Sequence, residues 1–206
     1  MTSRGLPSTR IPSDEQIRAL HEKYAPTQEA FELVYTHCRI VCEVAEQLMA
    51  RQRLDVDADL VRAGCLLHDI GVYQLYTPSG ELDHATYVRH GVLGHELLRE
   101  LGYPDVLCRF CSCHTGVGIT RDDIVAQCLP IPPGDYVAET AEEELVMYAD
   151  KFHSKTTPPV FVTAAAFTEK ISRFGEAKAR EFARMRSRYG DPDLTPLAAA
   201  YGHSVR

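Results

Sequence analysis

The run Ala63-Gly-Cys-Leu-Leu-His-Asp-Ile-Gly71 closes an apolar helical segment on a histidine and an aspartate. That ending narrows what the chain can fold into. Adjacent histidine and aspartate there make a poor core and a good metal site, and a carboxylate buried without a cation or strong donors, as at Asp150, is costly. His37 lies on the stripe Leu33, Ile40, Val41, Val44 and Leu48, whose helical spacing points it inward. Asp150 lies on the inward face of a further helical segment. An imidazole offers one nitrogen lone pair and a carboxylate two oxygens, and together they suit a first-row transition metal. The fold therefore has to bring distant helices to one polar centre.

The rest of the chain reads as helices with short connections. Ser13-Asp-Glu-Gln16, Thr120-Arg-Asp-Asp123 and Thr140-Ala-Glu-Glu143 are three helix-opening signatures. Helices are expected from Ser13 toward Tyr24, Thr27 to Arg51, Asp57 to Ile70, His84 to Leu101 and Pro104 to Cys113. A short one follows Thr120, another runs from Thr140 to about Ser154, and the last from Val162 to Tyr189, kinked near Gly175. Gly71 is read as the left-handed stop of the third helix. No alternating strand pattern stands out. The expected fold is all-α, a compact orthogonal bundle. Residues 13–190 are expected to form a single domain, with tails at 1–12 and 191–206.

A formal net charge of -7 argues against a nucleic-acid backbone as the main partner. It does not argue against a small phosphorylated substrate, because bound cations invert the local field. No apolar run approaches the roughly 20 residues of a membrane span, and the first ten residues lack the apolar centre of a secretory signal. Seven cysteines, several within helical patterns, suit a reducing cytoplasm. Cys111-Ser-Cys113 lacks the second pair a zinc site needs, and burial as small apolar residues accounts for both better.

The order His37, His68-Asp69, His90, His114, Asp150 resembles the HD-domain superfamily of metal-dependent phosphohydrolases, in its His-Asp-Ile-Gly variant. Arg89-His-Gly-Val-Leu-Gly94, His114-Thr-Gly-Val-Gly-Ile-Thr120 and Tyr148-Ala-Asp-Lys151 resemble small stand-alone members, over roughly residues 30 to 190. Gly102-Tyr-Pro104 matches the name of the HD-GYP subfamily, but it falls at a helix end where both glycine and proline have local reasons to be.

The resemblance implies that His37, His68, Asp69 and Asp150 hold one metal, and that His90 and His114 complete a second, bridged by Asp69. Two divalent transition metals are implied, iron or manganese before cobalt or zinc. The implied reaction is hydrolysis of a phosphomonoester or phosphodiester in a nucleotide or other small molecule, by a metal-bridging hydroxide. Asp69 and Lys151 are the expected catalytic residues, and His84, Arg89, Lys151 and Lys155 the expected substrate contacts. His153, three residues after Asp150, is read as a lesser candidate, and His21 and His203 as peripheral. Pocket walls are expected from 72–83, from 115–135 and from the stretch after Asp150. Two alternatives share the ligands: a di-iron oxygenase cleaving a C–C or C–P bond, and a non-catalytic nucleotide-sensing module. A homo-oligomer is left open.

Overall fold

Ser13 accepts from the Gln16 amide through its hydroxyl, while the Gln16 side chain accepts from the Ser13 amide. This reciprocal cap starts α1 (Asp14–Tyr24) where the sequence places it. The computed structural model describes residues 11–52 and 54–206. After α1 come α2 (Gln28–Gln52), α3 (Ala58–Leu67), α4 (His90–Glu100), α5 (Asp105–Cys113) and α6 (Arg121–Gln127). α7 (Ala141–Ala149), α8 (Ala164–Ser172), α9 (Glu176–Tyr189) and α10 (Thr195–Tyr201) complete the helices. The protein is all-α apart from a small sheet. No helix among the described residues is long and apolar enough to cross a membrane.

α2 runs through the middle and buries residues along its length, from Ala30 to Leu48. α3 packs beside it, and α7 closes against both. Small residues set how closely the other helices approach. A Cβ on Gly64 would lie 2.5 Å from the Phe110 ring, and one on Gly91 would lie 2.7 Å from the Cys111 carbonyl oxygen. One on Gly94 would stand 3.0 Å from the Cys111 side chain. The glycines of Arg89-His-Gly-Val-Leu-Gly94 therefore bring α4 onto α5, and with it His90 toward His114.

The structure corrects several boundaries. Gly71 is not a left-handed stop. It lies within a 3-10 helix, Ile70–Leu75, that continues the chain after α3. Its glycine is required by packing, because a Cβ there would sit 2.1 Å from the His90 carbonyl oxygen and 2.3 Å from the Gly94 nitrogen. The helix expected from Thr140 to Ser154 ends earlier, in a 3-10 turn at Asp150–Phe152. There β1 (His153–Ser154) begins, antiparallel to β2 (Val160–Phe161). Thr140 caps α7, but the reciprocal half of that box is missing, because the Glu143 carboxylate is taken by Arg109 and the Glu139 amide. The last long helix breaks at Gly175, φ 104°, into α8 and α9.

The segment 191–206, expected as a tail, is built into the fold. Leu194 and Leu197 are buried, and β3 (Ser204–Val205) pairs parallel to β2. Of the tail expected at 1–12, residues 1–10 lie outside the described residues, while Pro12 is buried and Ile11 packs against the core.

Candidate metal centre

α3 ends at Leu67, so His68 and Asp69 project from its C-terminal turn, where backbone carbonyls lack helical partners. His68 uses one of them: its Nδ1–H donates to the Cys65 carbonyl at 2.7 Å. His90, at the start of α4, does the same to Tyr87 at 2.6 Å. His114, just past α5, donates to Phe110 at 3.0 Å. In each imidazole Nδ1–H is thereby engaged by a carbonyl, and Nε2 points to the centre. Metal-binding histidines are prepared in this way.

The donor atoms converge in two groups. His37 Nε2 lies 3.2 Å from His68 Nε2, 2.9 Å from Asp150 Oδ1 and 3.2 Å from Asp69 Oδ2. His90 Nε2 and His114 Nε2 are 2.9 Å apart, at 3.4 and 3.5 Å from Asp69 Oδ1. Asp69 thus turns one oxygen to each group. In each group the donor atoms lie within 4.8 Å of one another. All six residues that the sequence singles out as ligands meet here.

Asp69 Oδ1 is buried and accepts no hydrogen bond. It faces two nitrogens whose protons point elsewhere, so three lone pairs share one space. A cation relieves that repulsion, and nitrogen with carboxylate oxygen is a donor set that fits a divalent transition metal. Burial alone drives the Asp69 carboxyl upward, but Lys155 and the surrounding histidines outweigh it and hold it well below the usual carboxylate range. Burial likewise opposes the Asp150 charge, and Lys151, His37 and His68 reverse the balance. Burial pushes His90 down to about 3 and also lowers His114, which keeps both imidazoles neutral.

The centre opens into a cavity of about 700 Å³. Of the expected substrate contacts, His84 is exposed and lines its wall, and Lys155 reaches inward to pair with Asp69 Oδ2. Lys151 also lines it, but its ammonium is buried and donates to the His114 carbonyl at 2.8 Å and to Asp150 Oδ2 at 2.7 Å. It ties two parts of the centre together. Arg89 does not line this cavity. It belongs to a separate groove with Glu96 and Pro130. Successive residues of a helical turn point roughly 100° or more apart, so burying His90 turns Arg89 outward.

All three stretches expected as walls contribute to the lining. Val72 and Leu82 represent the first stretch, and Thr115 and Gly116 the second. Most of the wall comes from the stretch after Asp150, through β2, through Phe167, Lys170 and Ile171 of α8, and through the exposed Phe174 just past it. His203 is not peripheral either: its Nδ1 lies 3.0 Å from His153 Nε2, and His153 Nδ1 lies 2.9 Å from His37 Nδ1. Only the local strand pairing reveals this, and a two-residue strand leaves no periodicity to read. His21 is fully buried, between the Tyr73 hydroxyl and the Leu66 carbonyl.

A helical fold that gathers two carboxylate–histidine groups in one buried place is one that could hold metal. The HD-domain family model matches residues 34–155, and the chain belongs to that family. Protein MJ0778 of Methanocaldococcus jannaschii is 38% identical over 122 residues, covering 58% of this chain and 65% of that protein. A tRNA (cytidine(56)-2'-O)-methyltransferase of Picrophilus torridus is 35% identical over 144 residues, 70% of this chain but 37% of the enzyme. The matched part of this chain thus spans less than two thirds of each relative's length. The HD domain of L. monocytogenes phosphodiesterase PgpH superposes with a TM-score of 0.55 at 18% identity, over 91% of this chain and 100% of that one. Its complex with cyclic-di-AMP gives 0.53 at 18% identity, over 92% and 99%.

Proposed function

We propose that this chain is a metal-dependent phosphohydrolase, a phosphomonoesterase or phosphodiesterase acting on a nucleotide or other small phosphorylated molecule. One observation carries the reading: Asp69 divides its two oxygens between two histidine groups and leaves Oδ1 without a donor. In this reading His37, His68, Asp69 and Asp150 hold one divalent ion, and Asp69, His90 and His114 hold the second. Iron or manganese suits this set best, with cobalt or zinc as lesser fits. Such a pair supplies Lewis acidity toward a phosphoryl group and lowers the pKa of water.

The chain's own residues do the rest. Lys155 stands in the cavity beside Asp69, where its ammonium meets an incoming phosphoryl oxygen. Lys151 holds Asp150 and the His114 backbone in place rather than reaching the substrate. Leu33, Val72 and Phe167 give the cavity apolar walls, which bury the non-phosphate part and keep bulk water out. A structural neighbour was solved with cyclic-di-AMP, so nucleotides are the first substrates to try. Six buried free thiols accord with a cytoplasmic place of work.

The test is anaerobic hydrolysis of a generic phosphodiester and a nucleotide panel with Mn²⁺ or Fe²⁺. Asp69→Ala is expected to lower turnover by roughly three orders of magnitude or more, with helical circular dichroism retained. Full activity in that variant overturns the assignment. Substrate-dependent O₂ consumption by the iron form, without hydrolysis, would replace it with an oxygenase. Nucleotide binding without turnover would replace it with a sensing module.

A further inference from the structure

Three of the four centre histidines take their orientation from a carbonyl three or four residues upstream, at the end or beginning of a helix. His37 has no such carbonyl. It sits inside α2, where the carbonyls one turn back already serve the helix. Its Nδ1 instead meets His153 Nδ1 at 2.9 Å, and the two rings stack with centroids 5.2 Å apart. His153 is buried. Its own Nε2 meets His203 Nδ1 at 3.0 Å, with those rings 5.1 Å apart and 21° from parallel.

Only one proton arrangement satisfies this row while leaving His37 Nε2 as a lone pair. His37 Nδ1–H donates to His153 Nδ1. His153 Nε2–H donates to His203 Nδ1. The remaining proton rests on His203 Nε2. The row is also held mechanically. His153 opposes Phe161 across the β1–β2 pair, with ring centroids 5.0 Å apart. His203 directly precedes β3, which is fixed to β2 by the bonds Arg206 N–H to Phe161 O at 2.9 Å and Thr163 N–H to Arg206 O at 2.8 Å. His203 lies beyond residues 34–155, the stretch matched by the family.

We infer that His153 and His203 are positioning residues for His37, and that the C-terminal segment sets the ring orientation and tautomer of one metal ligand. This rests on the two-metal reading above. Removing a hydrogen-bond partner behind a ligand commonly costs about 10–100-fold in metal affinity. An asparagine at position 153 keeps an acceptor oxygen near the Nδ1 position, whereas phenylalanine keeps only the ring.

The test is titration with Co²⁺, reading stoichiometry, affinity and the visible spectrum of the bound ion. It covers wild type, His153→Phe, His153→Asn and His203→Phe, each first checked for folding by metal-free thermal unfolding. His153→Phe is expected to weaken one of two equivalents about 10–100-fold and to change the spectrum. His153→Asn is expected to restore both to near wild type. His203→Phe should weaken the same equivalent by a smaller factor. The inference fails if His153→Phe binds and absorbs like wild type, or if His153→Asn is no better than His153→Phe. A wild-type protein that takes up no Co²⁺ instead overturns the two-metal reading itself, and this inference with it.

Discussion

On the inner side of the cavity, ligands hang from helices α2 to α5 and from the 3-10 turn after α7, and glycines press the backbones of α3, α4 and α5 together. On the outer side, the wall comes largely from residues beyond 152: two-residue strands, α8 and the C-terminal segment. The inner side has little freedom, because its helices cannot separate without opening a void. The outer side rests on a few strand bonds and side chains that reach in. Under the proposed function, helix packing would place the metal and the outer wall would fit the substrate, and the two sides should therefore fail differently.

The largest break is expected at Gly71→Ala. The added Cβ meets backbone atoms of His90 and Gly94, at 2.1 and 2.3 Å, and no side chain can rotate to relieve it. The expected loss is above about 4 kcal/mol, in the range reserved for severe overpacking. Urea unfolding measures it. A loss below 1 kcal/mol would mean that the inner side is more pliable than its packing indicates.

Lys155 crosses from the outer side to the inner one, so Lys155→Met should act on metal-free protein above all. It strips the ammonium from a buried carboxylate, an uncompensated charge worth about 3–5 kcal/mol. With metal bound, that carboxylate has another cation. Thermal unfolding with and without Mn²⁺ is therefore expected to show a wider gap in the variant than in wild type. An unchanged gap would remove Asp69 from the metal's partners.

The inner side was the more legible in the sequence, for a physical reason. His37 shows its direction because Leu33, Ile40 and Val44 share its stripe, and α1 and α6 announce their starts through capping side chains. All six residues of the two groups could be named before their convergence was known. On the outer side the stretch after Asp150 could be named as wall, but not the residues that build it. β1, β2 and β3 are too short for alternation to register, and His203 meets His153 from 50 residues away. Gly71 was legible as a special position, but its cause, the approach of α4, lies outside its own segment. Arg89 could be named as a cation near the centre, but that it lines a separate groove follows from the burial of His90 beside it.

His21 offers a gentler probe of the inner side through pH. Burial lowers its pKa from 6.5 to about 4, with Leu66 accepting its Nε2–H and Tyr73 donating to Nδ1. Between those values the unfolded chain binds a proton that the folded protein refuses. This contribution to stability is therefore complete above pH 6.5 and is lost as pH falls toward 4. At most it is worth about 3 kcal/mol. His21→Asn is expected to flatten the slope of unfolding free energy between pH 6.5 and 4 relative to wild type. An unchanged slope would mean that the proton is refused elsewhere.

The smallest effect is expected at the opposite extreme, Phe174→Ser. Phe174 lines the cavity but is 55% exposed, just before Gly175 separates α8 from α9. So open a ring contributes little to folding, and stability should move by no more than about 0.5 kcal/mol. If the outer wall selects the substrate, the same change should raise KM several-fold for a nucleotide while leaving kcat and metal content near wild type, because the lost contact serves ground state and transition state alike. A fall in kcat or in bound metal would show that the two sides are coupled through α8, and the division between placing metal and fitting substrate would have to be redrawn.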